Sequence, residues 1–133
     1  MNEEKLIELA IAARKNSYPI ISNFAVGTAL LTKSGKVYQG CNIEDKSGVG
    51  VTNCCGERVA ILKAVSEGEF EFTKIAIVGG IINEDLIHCP PCGICRQYMN
   101  SFSPNLEIIC HSKDKTIKYN LQELLPDSFN EEF

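Results

Sequence analysis

Lys74-Ile75-Ala76-Ile77-Val78-Gly79-Gly80 is a run of strand length dominated by β-branched and small apolar residues, and it reads as a core strand. Downstream, Pro90-Pro91 breaks the chain, Cys92 to Phe102 can form a helix, and Ser103-Pro104 stops it. Leu106 to Cys110 reads as another strand, separated from Lys115 to Asn120 only by His111 to Asp114. That gap is too short for a crossover helix, so the last two strands are expected to be antiparallel neighbours. Gln122 to Leu125 can add a helical turn.

Upstream, Glu57 to Glu67 carries Val59, Ile61, Leu62 and Val65 in a helical composition and is stopped by Gly68, which predicts a helix beginning near Cys55. Val26 to Thr32 and Val37 to Asn42 are joined by Lys33-Ser34-Gly35-Lys36, the pattern of an antiparallel hairpin. Asn2 offers a capping side chain ahead of Glu3, Glu4 and the helically spaced Leu6, Ile7, Ala10 and Ile11. That helix is expected to end near Tyr18, because Pro19 drives the residue before it towards extended geometry. Ser47 to Gly50 reads as loop. The order α, β, β, α, β, α, β, β predicts an α/β fold: a mixed five-stranded sheet with helices on both faces, three layers deep, in one domain over residues 1–133.

The composition is that of an ordinary globular chain, with 133 residues, 44% hydrophobic and 23% charged. A formal net charge of −4 lacks the basic excess of a protein that coats phosphate backbones, so nucleic acid is not the expected partner. No apolar run approaches the ~20 residues that span a bilayer, and Met1-Asn2-Glu3-Glu4-Lys5 lacks the layout of a secretory signal. The expected location is the cytoplasm, with no membrane partner.

Seven cysteines are the unusual number, and Cys89, Cys92 and Cys95 crowd into one short stretch while Cys54 and Cys55 are adjacent. An odd count without an export signal argues for thiolates that bind metal or react rather than for a disulfide framework. Cys92-Gly93-Ile94-Cys95 sets two thiols one turn apart at a helix start, where free amides and the helix dipole favour thiolates. Taken alone, the pair is open to a metal, a redox couple or two core cysteines. Cys55-Gly56-Glu57 adds a third thiol at another helix start, with a carboxylate two residues on. Three thiolates with a fourth position open describe a catalytic zinc, whereas four filled positions describe a structural one. Three thiolates on Zn²⁺ leave a net charge near −1, and Arg58, one turn beyond Cys55, is spaced to hydrogen-bond ligand sulfurs and withdraw charge.

With these residues the sequence resembles the cytidine deaminase family, whose signature is His or Cys, any residue, Glu, and later Pro-Cys-x-x-Cys. Ser22-Asn23-Phe24-Ala25-Val26-Gly27, Gly40-Cys41-Asn42-Ile43-Glu44, Cys95-Arg96-Gln97 and Leu124-Leu125-Pro126 with Phe129 resemble its small homotetrameric class. The resemblance implies Cys55, Cys92 and Cys95 as zinc ligands, Glu57 as proton shuttle, and Asn42 with Glu44 as the pair on the ribose 3′-hydroxyl. It further implies that Phe24 packs on the pyrimidine and that Phe129 stacks on it from a neighbouring subunit. Ile21 stands where the family often has tyrosine, Gly56 where it has alanine, and the stretch between Glu44 and Cys55 is about two residues longer than usual.

The implied activity is zinc-dependent hydrolytic deamination of cytidine or 2′-deoxycytidine to the uracil nucleoside and ammonia, a pyrimidine-salvage reaction. Two alternatives are a deaminase of a modified cytosine nucleoside, including a blasticidin-type antibiotic, and a non-catalytic structural zinc module with Cys54 or Cys89 as fourth ligand. A thiol oxidoreductase leaves Cys55 and Glu57 unexplained. His88 and His111 read as surface or strand-end residues, Cys110 as a buried strand residue and Cys41 as packing.

Overall fold

The Asn2 side chain accepts a hydrogen bond from the Lys5 amide at 2.8 Å and opens helix α1, Glu3–Arg14, in a computed structural model that describes residues 1–130. Helix α1 stops at Arg14 rather than near Tyr18, and the reason is long-range. Arg14 turns its guanidinium to the sheet, with Nε donating to the Ala25 carbonyl at 2.8 Å and Nη2 to the Gly80 carbonyl at 2.7 Å. The Tyr18 amide donates to the Asn42 carbonyl, and the Tyr18 carbonyl accepts from the Glu44 amide, both at 2.9 Å. Tyr18 therefore lies beside Ile43 as an extended bridge.

Strands β1, Phe24–Thr32, and β2, Val37–Cys41, form the expected hairpin, with Gly35 at φ +96° in its turn. Helix α2, Gly56–Ser66, leads to β3, Phe72–Ile81, which pairs antiparallel with β1. Helix α3, Gly93–Asn100, carries the chain over to β4, Glu107–His111, parallel to β3. Strand β5, Thr116–Asn120, returns antiparallel as expected and runs into the short helix α4, Leu121–Leu124. The sheet order is β2-β1-β3-β4-β5, the mixed five-stranded sheet that the element order predicts.

Strand periodicity divides the apolar residues between two faces. Leu30, Ile75, Ile77, Ile108 and Cys110 pack with Ala60, Ile61 and Ala64 of α2 and with Cys95 and Met99 of α3. Ala29, Leu31, Ala76, Val78 and Ile109 pack with Leu6, Ile7 and Ala10 of α1. Helices thus cover both faces, and Cys110 is a buried strand residue.

Two contacts fix where α2 begins. A Cβ on Gly40 would stand 2.3 Å from the Gly56 carbonyl oxygen, so only glycine lets the helix start approach β2 this closely. From the neighbouring strand, buried Thr28 Oγ1 donates to the same carbonyl at 2.9 Å.

The segment from Ser47 is loop as far as Val49, as expected, and Gly50–Thr52 then forms a 3₁₀ turn. Asp45 organises it: one carboxylate oxygen accepts from the Ser47 amide at 2.9 Å and the other from Thr52 Oγ1 at 2.5 Å. His111 ends β4, with Nδ1 hydrogen-bonded to Thr116 Oγ1 at 2.7 Å, but His88 is half-buried and packs against the Tyr119 ring instead of lying at the surface.

Candidate active site

Cys55 and Cys92 are the residues that precede α2 and α3, each in extended geometry and neither using its side chain as a helix cap. Cys95 lies one turn into α3 and is buried. The three sulfurs lie within 4.8 Å of one another, with Cys55 Sγ and Cys92 Sγ 3.7 Å apart. Thiolates at about 2.3 Å from a zinc ion on tetrahedral corners stand about 3.8 Å apart, so this donor set fits zinc in both chemistry and spacing. All seven cysteines are free, and neither Cys54 nor Cys89 belongs to the sulfur cluster found among the described residues.

The electrostatics favour an anionic sulfur at Cys55. The neighbouring Cys95 thiol, helped by the Arg58 guanidinium and by Cys92, draws Cys55 down to about 5, while Cys95 itself is pushed up. Arg58 Nη2 lies 3.8 Å from Cys55 Sγ and donates to the Asn53 carbonyl at 3.2 Å. Cys89 is different: burial first, then the Glu57 charge, push its thiol up to about 12, which keeps it neutral.

Glu57 sits in the first turn of α2 and is 4% exposed. Burial lifts its carboxyl to about 7 against the lowering effect of a hydrogen bond with Cys95. A cavity of about 300 Å³ opens beside it, lined by Val26, Asn42, Glu44, Asn53, Cys54, Cys55, Gly56, Glu57, Cys89, Pro90 and Cys92. Asn42 and Glu44 reach this cavity together because Ile43 between them bridges Tyr18 on one side and Cys54 on the other.

Both side chains are braced by backbone. Asn42 Oδ1 accepts from the Val26 amide at 2.8 Å and from the Ser17 hydroxyl, and Nδ2 donates to the Phe24 carbonyl at 2.8 Å. Burial works against the Glu44 carboxylate, but hydrogen bonds from the Ser22 hydroxyl and the Ser22 and Ile21 amides outweigh it and hold its pKa below the usual range.

Phe24 is half-buried and does not line this cavity; with Cys89 it flanks Gly79, where a Cβ would come within 2.9 Å of Phe24 Cε1 and 2.7 Å of Cys89 Sγ. Phe129 lies apart, 68% exposed, with its carbonyl accepting from Gln97 Nε2 at 3.0 Å. A larger hollow of about 710 Å³, lined by Arg58, Leu62, Gly93, Ile94, Gln97, Tyr98 and Ser101, lies on the outer face of α2 and α3. Sequence reasoning gave no role to Ser17, Ser22 or Asn53, which brace or line the cavity, and it read Cys89 only as an alternative fourth zinc ligand and Pro90 only as a chain break. Ser22 lies within the segment Ser22 to Gly27 singled out above, the one signal that pointed towards it.

Comparison with known proteins agrees with this geometry. Residues 1–111 match the family model described as the cytidine and deoxycytidylate deaminase zinc-binding region. A cytidine deaminase of Halalkalibacterium halodurans is 40% identical, over 99% of this chain and 97% of its own length. A probable cytidine deaminase of Dictyostelium discoideum is 39% identical, over 99% of this chain and 88% of its own. The crystal structure of a cytidine deaminase from Burkholderia pseudomallei superposes with a TM-score of 0.86 at 38% identity, covering 97% of this chain and 100% of the other. The mixed sheet, the thiol cluster at two helix starts and these matches have one reading: the chain belongs to the cytidine and deoxycytidylate deaminase family, whose defining region binds zinc.

Proposed function

We propose that this chain hydrolytically deaminates cytidine or 2′-deoxycytidine to uridine or 2′-deoxyuridine, releasing ammonia in pyrimidine salvage. The observation that carries the proposal is the buried Glu57 carboxylate on one cavity with the Cys55 and Cys92 sulfurs. Cys55, Cys92 and Cys95 would hold the zinc. When bound, zinc supplies the Lewis acidity that makes water a usable nucleophile near neutral pH. Glu57 accepts a proton from the attacking water and delivers it to ring N3, which makes C4 more electrophilic. As the C4–O bond forms, the ring goes from planar to tetrahedral at that carbon. Glu57 then moves the remaining hydroxyl proton to the exocyclic amine, the C4–N bond breaks and ammonia leaves. Arg58 withdraws charge from Cys55, which offsets the excess negative charge of three thiolates.

Asn42 and Glu44 bind the sugar hydroxyl, and Phe24 supports the wall against which the pyrimidine packs. Phe129 completes the pocket of a neighbouring subunit in a homotetramer. Its exposure and the apolar hollow on α2 and α3, with Leu62 50% and Ile94 67% exposed, support subunit contact. The activity resides in a single domain over residues 1–133 and in the cytoplasm. No helix among the described residues is long and apolar enough to cross a membrane. The test is an ultraviolet assay of zinc-loaded protein on cytidine, deoxycytidine, free cytosine and a blasticidin-type analogue. Turnover of the two ordinary nucleosides is expected; turnover of the analogue alone overturns the substrate assignment.

A further inference from the structure

Glu44 reaches the cavity with both carboxylate oxygens already engaged. Oε1 accepts from the Ile21 amide at 2.8 Å and the Ser22 amide at 2.9 Å, and Oε2 accepts from the Ser22 hydroxyl at 2.6 Å. The oxygen of that hydroxyl accepts in turn from the Phe24 amide at 3.0 Å. The Phe24 carbonyl takes a hydrogen bond from Asn42 Nδ2 at 2.8 Å, so a continuous network joins Glu44, Ser22, Phe24 and Asn42.

From this network we propose that Ser22 is a positioning residue, which fixes the Glu44 carboxylate for the sugar hydroxyl of the nucleoside. The inference rests on the sugar role proposed above for Glu44.

A hydroxyl has one proton to give and two lone pairs. The Phe24 amide holds the Ser22 oxygen, and the proton goes to Glu44 Oε2. The short, charge-assisted bond that results sets the carboxylate plane, which at a terminal sp³–sp² torsion is otherwise broad. Oε1 already takes two amides. Oε2 takes one hydroxyl and keeps a lone pair, so it is the oxygen left to accept from an incoming hydroxyl. Without Ser22 the same carboxylate keeps its charge but loses its aim, and a contact remote from the reacting carbon weakens.

The test compares Ser22→Ala, Ser22→Thr, Glu44→Gln and the Ser22→Ala/Glu44→Gln double variant, each zinc-loaded, on cytidine and on free cytosine. Ser22→Ala is expected to lower kcat/KM for cytidine roughly tenfold, the scale of one hydrogen bond to a charged group, and to leave cytosine turnover unchanged. Ser22→Thr restores most of the loss, and the double variant is no worse than Glu44→Gln, because Ser22 acts through Glu44. If Glu44→Gln is impaired on cytidine while Ser22→Ala is not, the role of Ser22 is overturned and that of Glu44 stands. Additive losses, or an equal fall on cytosine and cytidine, also overturn it, since Ser22 would then act on the fold at large. An unimpaired Glu44→Gln overturns the sugar role and the Ser22 proposal with it.

Discussion

The sulfurs of Cys55 and Cys92 lie 3.7 Å apart across a separation of 37 residues, each on the residue that starts a helix. Two helix starts meeting at one point bring two sets of unpaired amides and two positive dipole ends to the same place. Cys95 supplies the third sulfur from one turn inside α3, so a rigid frame presents all three.

Metal analysis of the purified protein should find one zinc per chain. Cys55→Ala, Cys92→Ala and Cys95→Ala should each lose it, whereas Cys54→Ala and Cys89→Ala should keep it, because those sulfurs lie outside the cluster. Retention of the metal by Cys55→Ala, or its loss from Cys89→Ala, contradicts the ligand assignment.

Glu57→Gln keeps the size of the side chain and removes the carboxylate from a position that is 4% exposed. General acid–base groups contribute about 10² to 10⁴ in rate, and a group used at several proton transfers should sit at or beyond the upper end. The kcat on cytidine is expected to fall by that factor, with zinc content and assembly unchanged. Near-parental turnover would remove Glu57 from the mechanism.

Glu44 titrates below the ordinary glutamate value of about 4.3 in the folded chain. Its ionised form therefore adds stability above its unfolded pKa, and that contribution disappears as the pH falls through the folded pKa. Denaturant titrations should find Glu44→Gln less stable than the parent at pH 7 and equal to it once the pH lies below the folded value. Equal stability at pH 7 contradicts this.

Gly40→Ala sets a methyl group 2.3 Å from the Gly56 carbonyl oxygen and 2.7 Å from the Ala60 amide nitrogen, both backbone atoms of α2 that no rotamer change can move aside. Overpacking of this kind costs about 1–3 kcal/mol, so a lower Tm and weaker zinc retention are expected, since the start of α2 carries Cys55. An unchanged thermal melt would mean that β2 and α2 slide apart freely.

Helix α3 holds the tail: Arg96 Nη1 donates to the Leu124 carbonyl at 2.9 Å, and Gln97 Nε2 donates to the Phe129 carbonyl. Deleting the segment from Phe129 onward should reduce activity more than zinc content, and sedimentation of the active parent should find a tetramer. A fully active monomer rules out a shared pocket.

Local chemistry made the sheet and helices legible: the Asn2 cap, the Gly35 turn, Gly68 after α2 and the β-branched β3 all act within a few residues. Helix α1 ends early for a reason no local signal carries, since Arg14 and Tyr18 are held by strands far along the chain. The same holds at the site. Motif spacing and resemblance drew attention to Cys55, Cys92, Cys95 and Glu57, but the Ser22 contact to Glu44 spans 22 residues and exists only after β1 and β2 have paired. Past the loop over Ser47 to Val49, the 3₁₀ turn Gly50–Thr52 carries no local signal, because the Asp45 bonds that wind it depend on side-chain geometry.

Asn42 spends both lone pairs of Oδ1 on Ser17 and Val26 and one Nδ2 proton on Phe24, which leaves the second Nδ2 proton for the sugar hydroxyl. Its ordering is complete before any ligand arrives. A molecule entering the cavity meets a wall whose rotamers were frozen in the folding step, and association is relieved of that share of entropy loss. Complex formation should then resemble a key entering a cut lock, with little backbone motion around Asn42 and an on-rate set by access to the cavity rather than by rearrangement.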